Sequence, residues 1–205
     1  MSFGYQVLGF GSGGVAPFLV ASGGTEVTCG DYKTHIFTGP GTFTVCSDAG
    51  GAAINSVVDY VVVAGGGGSA GTNAGGAGGG GFRLSNEHCA SNMSPLVRAT
   101  GITVSASPGS YPIVVGGAGA AGTPVGAQGG TSTFSTICSA GGGFGSNVND
   151  PAGDGGSGGG GGGEFGAAGG SGNTPPTSPE PPQGQDGGDG STGPAVRASG
   201  GGGGA

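Results

Sequence analysis

The sequence predicts a mainly β fold: a small antiparallel, β-sandwich-like N-terminal domain followed by a glycine-rich domain, with no α-helix. Three observations carry this. The run from 57 to 64 is short, apolar and β-branched, with the length and composition of a strand buried on both faces. It drops directly into Gly65-Gly66-Gly67-Gly68, which propensity allows neither as strand interior nor as helix. No segment of the chain shows a helical apolar period.

Glycine dominates the composition, with 59 residues in 205. In regular structure each glycine costs about 0.5–1 kcal/mol more than alanine. Over the whole chain this outweighs the usual net stability of a domain, about 5–15 kcal/mol. The glycine is therefore either unstructured or used for close backbone packing with dense hydrogen bonding. Charged residues make up only 7% and the net charge is −7, unlike a typical charged disordered linker. With Lys33, Arg83, Arg98 and Arg197 as the only basic side chains, no nucleic-acid footprint is expected. No apolar run reaches the length of about 20 residues needed to span a bilayer. The opening Met1-Ser2-Phe3-Gly4-Tyr5 has no charged n-region, so no secretory signal is expected.

Taken in order, residues 1–24 form an arm in which Phe3, Tyr5, Phe10 and Phe18 alternate with glycine. These aromatics are candidate anchors on a partner, or a first strand over 5–10 with a loose connection. Residues 25–64 form the β-rich domain. Within it, 33–38 and 42–46 flank Gly39-Pro40-Gly41 and read as a hairpin. Pairing Thr38 with Thr42 sets Phe37 opposite Phe43 as the hairpin core, with His35 opposite Val45 on the same face. His35 reads as a strand-face histidine rather than a ligand.

Residues 65–172 form the glycine-rich domain, with short strands near 102–105, 111–115 and 131–137. Pro112 confines its strand to an edge or to the strand's first residues. The interval 82–100 gathers Arg83, Glu87, His88, Cys89 and Arg98. It reads as a solvated insertion, because nothing there makes a nucleophile–base–orienter set. Residues 173–205 begin with a proline-rich, polyproline-type spacer and end in glycine.

No motif carries catalysis or cofactor binding. The glycine windows lack Gly-Lys-Ser/Thr and are not followed by a helix, which excludes a P-loop or Rossmann site. Asp150, Asp154, Glu164, Asp186 and Asp189 lie in turn-like sequence, but no nonapeptide calcium repeat is sustained. Cys29, Cys46, Cys89 and Cys138 have no metal-ligand spacing. They are expected to be free thiols, buried or incidental, with no bound zinc. Catalytic, cofactor-binding and metal residues are all expected to be absent.

One ordered series of segments resembles the glycine-rich tail and fibre (adhesin-like) proteins of bacteriophages. It comprises Asp31-Tyr32-Lys33-Thr34-His35-Ile36-Phe37-Thr38, Gly41-Thr42-Phe43-Thr44-Val45, Asp59-Tyr60-Val61-Val62-Val63-Ala64-Gly65, Gly80-Gly81-Phe82-Arg83 and 108–116. The resemblance covers about residues 25–205. It implies polyglycine-II helices, left-handed and threefold, packed side by side and bonded through backbone amides. Such packing would satisfy the groups that a lone polyproline-type helix leaves to water. The charged 82–100 segment departs from the pattern.

The resemblance further implies a non-enzymatic virion protein, made in the bacterial host cytoplasm, with residues 1–24 docking to other tail or capsid proteins. Exposed distal loops would bind a host cell-surface receptor. A homo-oligomer, a trimer first, is expected. A capsid decoration or head-fibre protein remains open, as does a glycine-rich ice-binding or matrix protein.

Overall fold

A computed structural model describes residues 18–47, 56–71, 73–85, 99–175, 182–193 and 198–204. The described chain is mainly β, with several antiparallel sheets and no helix among the described residues. The elements are β1 (Val20–Ser22), β2 (Thr25–Cys29), β3 (Tyr32–Ile36), β4 (Gly41–Ser47), β5 (Val57–Val58), β6 (Val61–Val63), β7 (Phe82–Leu84), β8 (Ile102–Thr103), β9 (Ser110–Val114), β10 (Ser132–Phe134) and β11 (Ile137–Ser139). A five-stranded sheet has the order β1-β4-β9-β10-β11, and β2-β3, β5-β8 and β6-β7 form two-stranded sheets.

The core is a small aromatic cluster. Phe43, Val45, Tyr60, Val62, Val104 and Phe134 are buried together. The ring of Phe134 meets Phe43, Tyr60 and Tyr111 at centroid distances of 5.9, 6.5 and 6.4 Å. All three contacts are edge-on, the arrangement that the ring quadrupoles favour. β6 packs over β10 and β11, and the Ser139 hydroxyl donates to the Val62 carbonyl at 2.9 Å.

The expected hairpin across Gly39-Pro40-Gly41 does not form. β3 pairs instead with β2, from Thr25 opposite Ile36 to Cys29 opposite Tyr32. β4 pairs with β1 and β9, which sets Phe43 opposite Tyr111 rather than Phe37. The reason is steric and local. The Phe37 ring leaves the strand and fills a cradle made by Gly23, Gly24 and Gly41, where a Cβ at Gly24 or Gly41 would press against it. Gly30, at a φ of 57°, makes the tight turn between β2 and β3. His35 lies opposite Glu26, donates from Nδ1 to the Gly23 carbonyl at 2.8 Å, and sets its ring edge-on to Phe43 at 5.1 Å. It docks the β2–β3 hairpin onto the main sheet.

The valine run and Pro112 also differ from expectation. The 57–64 run is split between partners, because β5 pairs with β8 and β6 with β7. At the break, the Ser85 hydroxyl donates to Asp59 Oδ1 and accepts from the Tyr60 amide, both at 2.9 Å. The second half is buried on one face only: Tyr60, Val62 and Ala64 point inward, while Val61 and Val63 are 59% and 51% exposed. This is the alternation of an antiparallel strand with one solvated face. The main sheet also joins β4 to β9, β10 and β11, so strands from both sides of the 64/65 boundary share one core. Pro112 lies within the interior strand β9, opposite Thr42. It is tolerated because the β10 ladder reaches only Ile113 and Val114.

The glycine tracts are packed. Glycine amides donate to a neighbouring tract at every third residue, as in Gly75 to Ser146, Gly78 to Gly143 and Gly81 to Ala140, at 2.8–2.9 Å. The same step recurs in Gly142 to Gly65 and Gly145 to Gly68, and in Gly158 to Gln185 and Gly161 to Gly188. A three-residue step is the turn of the polyproline-II helix, and bonding between helices supplies what that helix lacks internally. The tract 157–163 is ringed by 73–81, 140–147, 152–155, 166–172, 183–190 and 198–204, each bonded to it through the backbone. Close approach is what glycine permits here: a Cβ at Gly67, Gly143 or Gly160 would run into a neighbouring carbonyl.

Candidate interaction surface at the distal turns

The tracts have a common polarity relative to the sheets. Tract 64–71 leaves β6 and 73–81 returns to β7, bonded antiparallel through Gly67 to Gly78 and Ala64 to Gly81. Tract 116–122 leaves β9, 125–131 returns to β10, and 140–147 leaves β11. The remaining tracts align beside these. The turns at 122–125, 147–152 and 163–166 therefore gather at the end away from the strands, as do the tract ends at 71, 73, 191–193 and 198.

Backbone bonds knit these turns together. The Asn73 carbonyl accepts from the Gly163 amide and the Ser199 hydroxyl, both at 3.2 Å. The Gly166 amide donates to the Ser191 carbonyl at 2.7 Å, and Val125 bridges to Ser146. Asn73 at φ 47° and Gly166 at φ 69° take the left-handed conformation that tight turns need. Glu164 at φ 99° lies beyond that region, a strained position for a residue with a side chain. The next residue, Phe165, is 64% exposed, the most exposed large apolar side chain of these turns among the described residues. The turns at this end also carry Asn, Asp, Thr and Pro side chains: Thr123, Pro124, Asn149, Asp150, Pro151 and Thr192. This surface can bind by shape, apolar contact and hydrogen bonding. No group of three or more potential metal ligands occurs among the described residues.

The residues singled out from sequence are dispersed. Phe3, Tyr5 and Phe10 lie outside the described residues. Phe18 is 74% exposed at the sheet end, near the strand that begins at Val20. Phe43 is core and Phe37 half-buried against it. Cys29, Cys46 and Cys138 carry free thiols that are exposed rather than buried, and Cys89 lies outside the described residues. Of the 82–100 cluster, Arg83 is buried, and its Nε donates to the Cys138 carbonyl at 2.6 Å.

Sequence reasoning missed two devices. Gln183, inside the expected spacer, is buried against the lattice. Its Oε1 accepts from the Ala140 amide at 2.7 Å and its Nε2 donates to the Pro175 carbonyl at 3.2 Å. Asp154, Asp186 and Asp189 accept from the amides of Ser171, Gly172 and Gly169 at 2.7, 2.7 and 2.8 Å. They satisfy the outward donors of tract 166–172, where a further tract would otherwise be needed. The signal was available: Asp186 and Asp189 are one threefold turn apart.

No curated protein and no solved structure matches the chain. A family model described as a glycine-rich domain matches residues 38–205, from just before β4 through the last tract. The chain belongs to this glycine-rich domain family.

Proposed function

We propose that this protein is a non-enzymatic structural component of a bacteriophage virion, a tail fibre or tail-associated adhesin that attaches the particle to the host cell surface. The observation that carries the reading is the gathering of turns at one end of a hydrogen-bonded glycine lattice, opposite the strands. Such a lattice holds its turns rigidly with few side chains, leaving the turn residues free to vary in chemistry. At the opposite end, Phe18 and Val20 are exposed near the expected docking arm, which suits attachment to other virion proteins. The ordered resemblance to phage fibre proteins supports the same reading, with a homo-oligomer, a trimer first, as the assembled form. The protein is made in the bacterial cytoplasm and resides in the virion.

Two measurements on intact particles test this. Gold-labelled antibodies against the chain should decorate the tail or its tip. Particles carrying Phe165→Ala should assemble normally but adsorb to host cells more weakly. Label confined to the capsid would move the protein to a head-decoration role, and unlabelled particles would end the virion reading.

A further inference from the structure

The chain contains three Asp-Gly steps, Asp154-Gly155, Asp186-Gly187 and Asp189-Gly190, and all three grip the tract 166–172. At each step the aspartate side chain accepts one amide of that tract, and the next glycine amide donates to one of its carbonyls. Gly155 donates to Ser171 at 3.0 Å, Gly187 to Gly170 at 2.9 Å and Gly190 to Ala167 at 2.8 Å. The first step is reciprocal, since Ser171 also supplies the amide that Asp154 accepts. The other two repeat one threefold turn apart.

Asp-Gly is chemically the most vulnerable step for aspartate, because glycine leaves the next backbone nitrogen unhindered. That nitrogen loses its proton and attacks the side-chain carboxyl carbon. A C–N bond forms, the hydroxyl of the protonated carboxyl group leaves as water together with the proton the nitrogen gave up, and a cyclic succinimide results. Water then opens the ring. Cleavage at the side-chain carbonyl restores aspartate. Cleavage at the main-chain carbonyl leaves isoaspartate, with the chain now running through the side-chain methylene. No oxidant or reductant is needed.

We propose that Asp154, Asp186 and Asp189 are latent isoaspartate sites whose reaction is gated by the opening of tract 166–172. The three carboxylates are exposed to water, so burial does not protect them. What withholds reaction is the clamp: the proton that must leave each glycine nitrogen is bonded to a tract carbonyl, and the carboxyl oxygen is bonded to a tract amide. Closing the ring requires both bonds to break. Once formed, isoaspartate lengthens the backbone by one methylene. The three-residue register is then lost and the clamp cannot re-form. The inference is independent of the virion reading, because it concerns the folded chain alone.

The test compares the full-length folded protein with the same protein held unfolded in denaturant, both aged at neutral pH and physiological temperature. Isoaspartate is quantified at each step by enzymatic methylation and by mass spectrometry of proteolytic fragments. All three steps should form it at least about tenfold more slowly in the folded protein, the suppression that an opening equilibrium imposes. Gly170→Val, whose side chain would strike the Gly153 carbonyl, should raise isoaspartate at all three steps together while Asp and Gly themselves are unchanged. Should that variant not fold, the folded–unfolded comparison decides alone. Equal rates in the folded and unfolded protein at any of the three steps would overturn the proposal.

Discussion

Gly160 and Gly201 form a matched pair for testing whether glycine is needed for space. Both lie in bonded tracts and neither has a positive φ. Gly160 is buried, and a Cβ there would stand 2.6 Å from the Gly200 carbonyl carbon, against an ordinary contact of 3.4–4 Å. Tract 198–204 would have to retreat by at least 0.8 Å (3.4 less 2.6). Its bonds from Gly76 to Gly200 and from Gly200 to Gly161, now 3.0 and 2.8 Å, would lengthen to about 3.8 and 3.6 Å, outside hydrogen-bonding range. Two bonds at about 1 kcal/mol each, with overpacking of about 1–3 kcal/mol, give a destabilisation of about 3–5 kcal/mol for Gly160→Ala. At Gly201 a Cβ meets nothing within 4 Å. Gly201→Ala should therefore stabilise by about 0.4–1 kcal/mol, by restricting the unfolded chain. Denaturant unfolding followed by circular dichroism measures both. Equal effects of the two substitutions would refute the steric reasoning.

Other substitutions test single interactions. Ser157 Oγ is buried with no hydrogen-bond partner, so Ser157→Ala should raise stability by about 1 kcal/mol; a loss of stability in the same unfolding assay would mean that the hydroxyl is in use. Gln183→Ala leaves the Ala140 amide without its acceptor and should cost about 1–3 kcal/mol, with faster exchange at Ala140 as the specific signature. Phe43→Ala empties the centre of the aromatic cluster and should cost about 3–5 kcal/mol. A change below about 1 kcal/mol would place that ring outside the core.

The sequence made the strands legible where side chains alternate, and misled where pairing was chosen by distant partners. Strand β9 was readable from 111–115 because β-branched and aromatic residues cluster there, whereas the run 131–137 is not one strand: Ser135, at φ 53°, turns β10 back into β11 at Ile137. The partner of β4 was not readable, since Tyr111 is far away in sequence and the nearby Gly-Pro-Gly offered a plausible turn. A better local signal stood a few residues earlier: Gly30-Asp31 is a two-residue hairpin loop with glycine first, between the runs 25–29 and 32–36. The burial of the valine run was misread for a related reason, because composition cannot say which face of a strand will be covered.

The glycine lattice was foreseeable as packing but not as an arrangement. Without side chains there is no pattern to assign neighbours, and backbone bonds such as Gly76 to Gly200 join residues far apart in the chain. The distal turns were invisible for the same reason, because they become a surface only once the tracts are aligned. Glu164 could not be picked out from the other acidic residues until its backbone was seen.

Amide hydrogen exchange on the intact protein tests the packed lattice most directly. A lone extended glycine helix exposes all its amides, whereas interlocked tracts protect those that reach a neighbour. The amides of Gly75, Gly78 and Gly81, bonded to Ser146, Gly143 and Ala140, should exchange as slowly as those of the core strand β4. The amides of Gly158, Gly160 and Gly161 in the central tract should do the same. Exchange at free-coil rates across 75–81 and 157–163 would contradict the lattice and return the glycine tracts to the status of linkers.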